Sequence, residues 1–529
     1  MSSEIQAANT YPHEKNDVQH VGDVKTEANF RQDAMEAESA EFNMTVMEAV
    51  KAYPMACFWS FIMSSTIIME AYCVFLMGSF VALPKFRLDY GIPDGSGGFV
   101  IETSWQSALQ CGGPVGALIG VFIAGPIAAA IGYRWACIGG LMFLNATIFI
   151  MFFANSLGVF FASQLLEGIS WGIFIAISPA YCSEIVPMRL RAPATQVLQL
   201  FWALGAIIVG GVCYAYQPLL TTAAYRIPTA LQWMFPTPLA VLMFLAPESP
   251  WWLVRKGRME QAARSVVRLG RKSLVQPQEA VAMMRRVIDQ ESHENPSLLE
   301  LFKGTDLRRT LIVCGIYAAQ NLAGNLIANQ AVFFFEQAGM DTNTAFALGL
   351  ITSALQAVFV MGSWGLTTYF GRRTIYLWGT GFNVVMLFAL GIAASVGQST
   401  AASNAQAAFG LIVSVWFTFT AAPVSWAVIG ETSSIRLRPL TTGVGRASYY
   451  IINIPCIFLS SWMLNPTGAA LFGKCGYVWG GTALFTLVVA YFCLPEYKGR
   501  SYRELDILFR RKVAARKFSK TQINLEEDE

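Results

Sequence analysis

Glu70 stands inside "IIMEAYCVFLMG" (67–78), a run otherwise free of charge and mostly apolar. An ionised carboxylate in such surroundings costs several kcal/mol unless it is paired or takes a proton. Two chemistries answer that cost: a carboxyl that faces a cavity and exchanges a proton, or a neutral glutamic acid that donates one structural hydrogen bond. Glu167, in "LLEGISWG" (165–172), raises the same question. A third pattern is "QNLAGNLIANQ" (320–330), where Asn321, Asn325 and Asn329 recur at i, i+4 and i+8, with Gln320 and Gln330 beside them. On an unbroken helix these amides form one stripe. Each donates and accepts, which suits a ligand made of hydroxyls, although amides also join helices to one another in bilayers.

Whatever holds these residues lives largely out of water. The 529 residues are 54% hydrophobic and 13% charged, with mean hydropathy +0.46, whereas soluble domains carry roughly 25% charged residues. About twelve apolar segments have the roughly 17–25 residues that cross a bilayer as helix. They centre near Ile67, Val115, Phe143, Ile169, Leu204, Leu239, Ala319, Ser353, Met386, Trp416, Ile452 and Leu487. Their continuous rather than alternating apolarity speaks against a strand barrel, so the expected class is all-α integral membrane. Residues 1–52 are polar and acidic, which predicts a disordered tail and no cleaved signal peptide. Basic residues gather at Arg189 and Arg191, Arg372 and Arg373, Arg436 and Arg438, in the loop 255–309 and in the tail 498–517. All fall on one side if the N-terminus is cytoplasmic, so both termini are expected there.

Other classes are poorly supported. The net charge of +3 is too small to suggest nucleic acid. Ten cysteines without CxxC spacing read as small apolar packers, with no disulfide frame, metal or cofactor expected. No nucleophile–base pair or phosphate-cradling glycine loop stands out, so an enzyme is not expected.

The chain also repeats itself. "SEIVPMRLRAP" (183–193) is echoed by "GETSSIRLRPL" (430–440), "IGYRWACIGG" (131–140) by "FGRRTIYLWG" (370–379), and "APESPWWLVRKGR" (246–258) by "LPEYKGRSYRELD" (494–506). Three matches in order predict two similar halves of six helices, with a binding site between them near the midplane, the architecture of the major facilitator superfamily. The expected division is a tail (1–52), a first half (53–247), a cytoplasmic linker (248–308), a second half (309–495) and a tail (496–529), acting as a monomer. Arg134, Glu184, Arg191, Arg372, Glu431 and Arg438 lie in the repeated loops. Such charges can pair when the cavity closes on that side and part when it opens; the alternative is that they satisfy helix ends and anchor the interface.

The Glu184 to Arg191 spacing, "PESPWWLVRKGR", "FGRR" and "PEYKGRSYRELDILF" resemble the sugar porter branch of that superfamily, and the second of these with "ARKF" (515–518) most resembles fungal maltose and other α-glucoside permeases. The resemblance spans about residues 50–518. It implies a plasma-membrane secondary transporter working by alternating access, commonly with proton symport. Gln320, Asn321 and Gly324 match the paired-amide motif that holds substrate in that branch, Gln199 matches a sugar-binding glutamine, with Gln196 one turn before it, and Trp426, after Pro423, matches a pocket tryptophan. Tyr449, Tyr450 and Asn453 of the eleventh segment join them, and Arg446, which the resemblance places in the same segment, is the cation expected to pair with Glu70. Departures are Asn329, Gln330 and Phe333 where Gly, Tyr and Tyr are usual, and Cys73, Ala117 and Ala129 where acids are usual. The reading is therefore a carrier of a small hydroxylated solute, most simply an α-glucoside, with Glu70, Glu167 and Arg446 as proton-coupling candidates. Its rivals are a carrier of a specialised fungal metabolite, favoured by the altered seventh segment, and a sugar sensor that transports nothing.

Overall fold

Long apolar runs leave the backbone no partner but itself, so they fold as helices. In this computed structural model the described residues are 45–93, 98–187, 190–271, 276–292, 298–397, 399–433, 437–498, 500 and 502–521. Among them, eleven helices are long and apolar enough to cross a membrane. They are α1 (Pro54–Ala82), α2 (Thr103–Ile131), α3 (Tyr133–Phe152), α4 (Leu157–Ile185), α5 (Arg191–Tyr216), α6 (Ala223–Leu245), then α8 (Thr342–Tyr369), α9 (Arg372–Ser395), α10 (Thr400–Ile429), α11 (Arg438–Leu464) and α12 (Cys475–Cys493). The twelfth crossing, α7, is built in pieces: Gly304–Gln320, a π turn Asn321–Asn325, Leu326–Asn329 and Ala331–Gln337.

That break corrects the expectation of one amide stripe. Gly324 sits at φ +84°, a conformation open to glycine and costly for other residues. Asn321 and Asn329 therefore lie on differently aimed pieces of α7.

Other helices bend for legible reasons. Ser65 and Thr66 turn their hydroxyls back to Ile62 O and Met63 O, each at 2.7 Å, and α1 is distorted there, one turn before Glu70. Pro423 cannot donate to Phe419 O, and α10 kinks at Thr420 just before Trp426.

The chain falls into two units. One gathers Met1–Cys57, Glu184–Arg191 and Pro247–Asn295. Its short helices are amphipathic: Thr45 and Glu48 form a capping box on Val46–Ala52, Ser249 caps Pro250–Arg255, and Met259–Leu269 buries Ala262, Val266 and Leu269. Arg271 N donates to Ala52 O at 2.7 Å.

The other unit is Phe58–Ser183, Ala192–Ala246 and Pro296–Glu529, and contains the membrane bundle. Successive crossings put the loops 83–102, 217–222, 338–341 and 465–474 at one end, called here the far end. Inside the bundle, α2 and α4 approach backbone to backbone through "CGGPVGALIG" (111–120) and "EGISWG" (167–172). A Cβ on Gly116 would overlap Leu165 O, one on Gly168 would overlap Gly113 O, and one on Gly172 would overlap Ala117 O. Small residues at four-residue spacing permit such contact.

Candidate functional site

Glu70 is 3% exposed, and the side chains that answer its charge come from α11. Arg446 Nη2 donates to Glu70 Oε1 at 3.4 Å, Tyr450 Oη donates to the same oxygen at 3.2 Å, and Arg446 Nη2 also reaches Tyr450 Oη at 3.2 Å. The guanidinium lies 4.6 Å from the Tyr449 ring centroid and 5.0 Å from that of Tyr450, with Trp426 and Tyr317 farther out. Aromatic faces stabilise a desolvated cation, so Arg446 is held without giving up its charge. Glu70 Oε2 is buried with no hydrogen-bond partner among the described residues.

Around this pair is a cavity of about 50 Å³, room for a few waters. It takes Val74 and Met77 with Glu70 from α1, Leu109, Gln110 and Pro114 from α2, and Gln164 and Trp171 from α4. Trp202 of α5, Asn329 and Gln330 of α7, and Tyr449, Tyr450, Asn453 and Ile457 of α11 complete it. Both six-helix sets contribute, and the wall mixes amides, carboxylate, aromatic faces and apolar side chains. Such a wall can grip hydroxyls at their edges and a ring at its faces.

Glu167 is fully buried on α4. Gln164 Nε2 approaches its Oε2 at 3.4 Å, and the Cys73 thiol of α1 lies against it. Cys73 also donates to Gln232 Oε1 at 3.3 Å. Glu167 is thus placed behind the cavity wall, one amide away from the lumen.

The proposed sugar-binding residues divide. Asn329, Tyr449 and Asn453 line the cavity, whereas Asn321 is spent on cross-bracing: it donates to Tyr449 O at 3.2 Å and accepts from Asn453 Nδ2 at 2.7 Å. Gln199 accepts from Trp426 Nε1 at 3.2 Å, joining α5 to α10. Gln320 is buried, and among the described residues its Nε2 has no partner. The side chains of Asn325, Arg191 and Arg438 lie outside the described residues. Gln110, Gln164, Trp171 and Trp202 were not read from the sequence. Gln106 and Gln110 repeat the i, i+4 amide spacing of α7 on α2, and that signal would have found them. Replacing Asn321 with Leu is expected to leave the Asn453 amide nitrogen without its acceptor. The loss should be about 1–3 kcal/mol of stability, read as a lower Tm of the purified protein with little change in KM.

Charges of the repeated loops pair close to home. Arg372 Nη2 meets Glu431 Oε1 at 3.0 Å, and burial pushes the Glu431 carboxyl up even beside that guanidinium. Arg134 donates to Phe244 O. Glu184, in the smaller unit, takes Arg255 at 2.6 Å and also the Ser249 hydroxyl.

A family profile described as "Sugar (and other) transporter" matches residues 59–509. A maltose permease of Saccharomyces cerevisiae is 35% identical over 503 residues, covering 93% of this chain and 82% of its own. A general α-glucoside permease of the same yeast is 34% identical over 510 residues, covering 95% and 83%. The inward-open structure of the xylose transporter from E. coli superposes with TM-score 0.69 at 15% identity, over 86% of this chain and 99% of that one. At that identity the likeness carries the fold alone. This multi-pass membrane protein has the major facilitator fold, and it belongs to the sugar transporter family.

Proposed function

We propose that the protein carries an α-glucoside such as maltose across a fungal plasma membrane, by alternating access of two six-helix halves (53–247 and 309–495), coupled to a proton. Both termini face the cytoplasm and the carrier works as a monomer. The observation that carries this reading is the Glu70–Arg446–Tyr450 cluster on the wall of a cavity shared by α1, α2, α4, α5, α7 and α11. The permeases it most resembles among those described above are named for maltose and α-glucosides. In this state Arg446 compensates the ionised Glu70. When Arg446 withdraws while Glu70 is still shielded from water, the carboxyl takes a proton, and it gives that proton up when the cavity wets or the guanidinium returns. The cavity of about 50 Å³ admits a sugar only after the helices part, which fits a carrier rather than a pore.

Uptake of a labelled sugar panel into yeast lacking hexose and maltose transport tests the reading. Maltose accumulation is expected to rise as the outside is acidified. Glu70→Gln should abolish accumulation while sparing downhill exchange, and Glu167→Gln reports whether the second acid shares the task. Full accumulation by the double variant would remove both acids from coupling. A second reading has one observation in its favour: Val74, Met77, Leu109, Pro114 and Ile457 give the cavity an apolar side. An aryl glucoside taken up in preference to maltose would point to a specialised metabolite. Binding without uptake would point to a sensor.

A further inference from the structure

Four amides run in a chain from the cavity toward the far end. Gln330 of α7 donates to Gln110 Oε1 of α2 and accepts from Gln106 Nε2 at 3.4 Å. Gln106 Oε1 accepts from Asn465 Nδ2, at the C-cap of α11, and the same Nδ2 reaches Ile101 O at 2.8 Å. Thr103 and Thr467 bond hydroxyl to hydroxyl at 2.6 Å beside it. Each of these links joins the first six helices to the last six. Gln106, Gln330, Asn465 and Ile101 are all buried, so the chain is shielded from water and each lost link leaves an amide unsatisfied.

The inner end of the chain is incomplete. Gln110 and Gln330 both line the cavity, and Gln110 Nε2 is a buried donor without an acceptor among the described residues. A hydroxyl entering there can accept from that nitrogen and also donate to Gln110 Oε1, which replaces the bond from Gln330. An apolar seal would gain nothing from a polyol; this one exchanges bonds with it.

We propose that Gln106, Gln110, Gln330 and Asn465 form a solute-responsive seal, which closes the far mouth of the empty carrier and is opened when solute hydroxyls take over the Gln110 and Gln330 amides. The inference rests on the reading above that the solute is polyhydroxylated. It follows that an empty carrier breaks the chain uncompensated to re-expose its site to the far side, whereas a loaded one does not. Exchange is then faster than net movement.

The test reads the far mouth directly. Ile101→Cys, at a fully buried position whose carbonyl accepts from Asn465 Nδ2, is introduced into a Cys111→Ser background and labelled from the far side with a membrane-impermeant thiol reagent. Without solute, Gln330→Leu and Gln106→Leu are each expected to speed labelling about tenfold, since each deletes two links; Gln106→Asn, one methylene shorter, breaks the same links if a Leu variant does not fold. Parental labelling rates in the folded variants would overturn the seal. This arm contains no sugar, so it decides the seal even if no sugar of the panel is carried. Maltose should then speed labelling of the parent and leave Gln106→Leu unchanged. A parent that transports maltose but labels at one rate with and without it would overturn the response to solute.

Discussion

Replacing Arg446 with Leu is expected to cut solute accumulation by about a hundredfold or more, the largest loss expected from any single side chain at or behind the cavity wall. The guanidinium compensates Glu70 across 3.4 Å and packs on Tyr449 and Tyr450. Removing one partner of a buried pair leaves the other uncompensated, at a cost of about 3–5 kcal/mol. The protein escapes that cost by leaving Glu70 protonated through the cycle, and a carboxyl that never releases its proton cannot couple. The double variant Glu70→Gln with Arg446→Leu should therefore recover folded protein and downhill exchange, but not accumulation. Uptake and counterflow in membrane vesicles separate the two. Losses that simply add in the double variant would show that Glu70 and Arg446 act independently.

A change of similar size is expected at the glycine seam. Gly168→Val should leave almost no folded protein at the membrane, because its Cβ would fall on the carbonyl oxygen of Gly113. Overpacking of a side-chain core costs about 1–3 kcal/mol, and here the obstacle is backbone, which cannot rotate away. The seam between α2 and α4 would have to part along Gly112, Gly116 and Gly120. Gly125→Val, on the same α2 but with open space around it, is the matched control and should be tolerated. Fluorescence-detected size-exclusion of tagged variants reads both. A well-folded Gly168→Val would show that the helices can separate at no cost.

Much of this was written plainly in the chain. Length and apolarity of the runs are enough for the helices, because a bilayer permits few alternatives, and Glu70 is conspicuous since a carboxylate in such a run needs a reason. The amides misled for a physical cause. Spacing at 321, 325 and 329 shows one face only if the helix is continuous, and Gly324 at φ +84° breaks it. Whether an amide faces a solute or a neighbouring carbonyl depends on what packs opposite, so Asn321, bound to Tyr449 O and Asn453, looked the same in sequence as Asn329 in the cavity. Glu184 was read as a gate charge along with Arg191, whose side chain lies outside the described residues; the described bonds of Glu184 run to Arg255 and Ser249. Long-range partnership of that kind has no local pattern.

The glycine seam has a consequence for measurement of size. With backbone against backbone at Gly116, Gly120, Gly168 and Gly172, α2 and α4 are expected to travel as a single plate. Gln110 on one and Gln164 and Trp171 on the other are then expected to keep their separation whichever mouth is open. They would act as the fixed jaw of a caliper, against which α7 and α11 bring the moving one. A solute is then gauged twice by the same ruler, once on entry and once on exit. Residues that alter the fixed jaw should change which solute is accepted, while those on the moving jaw should change how fast it is passed.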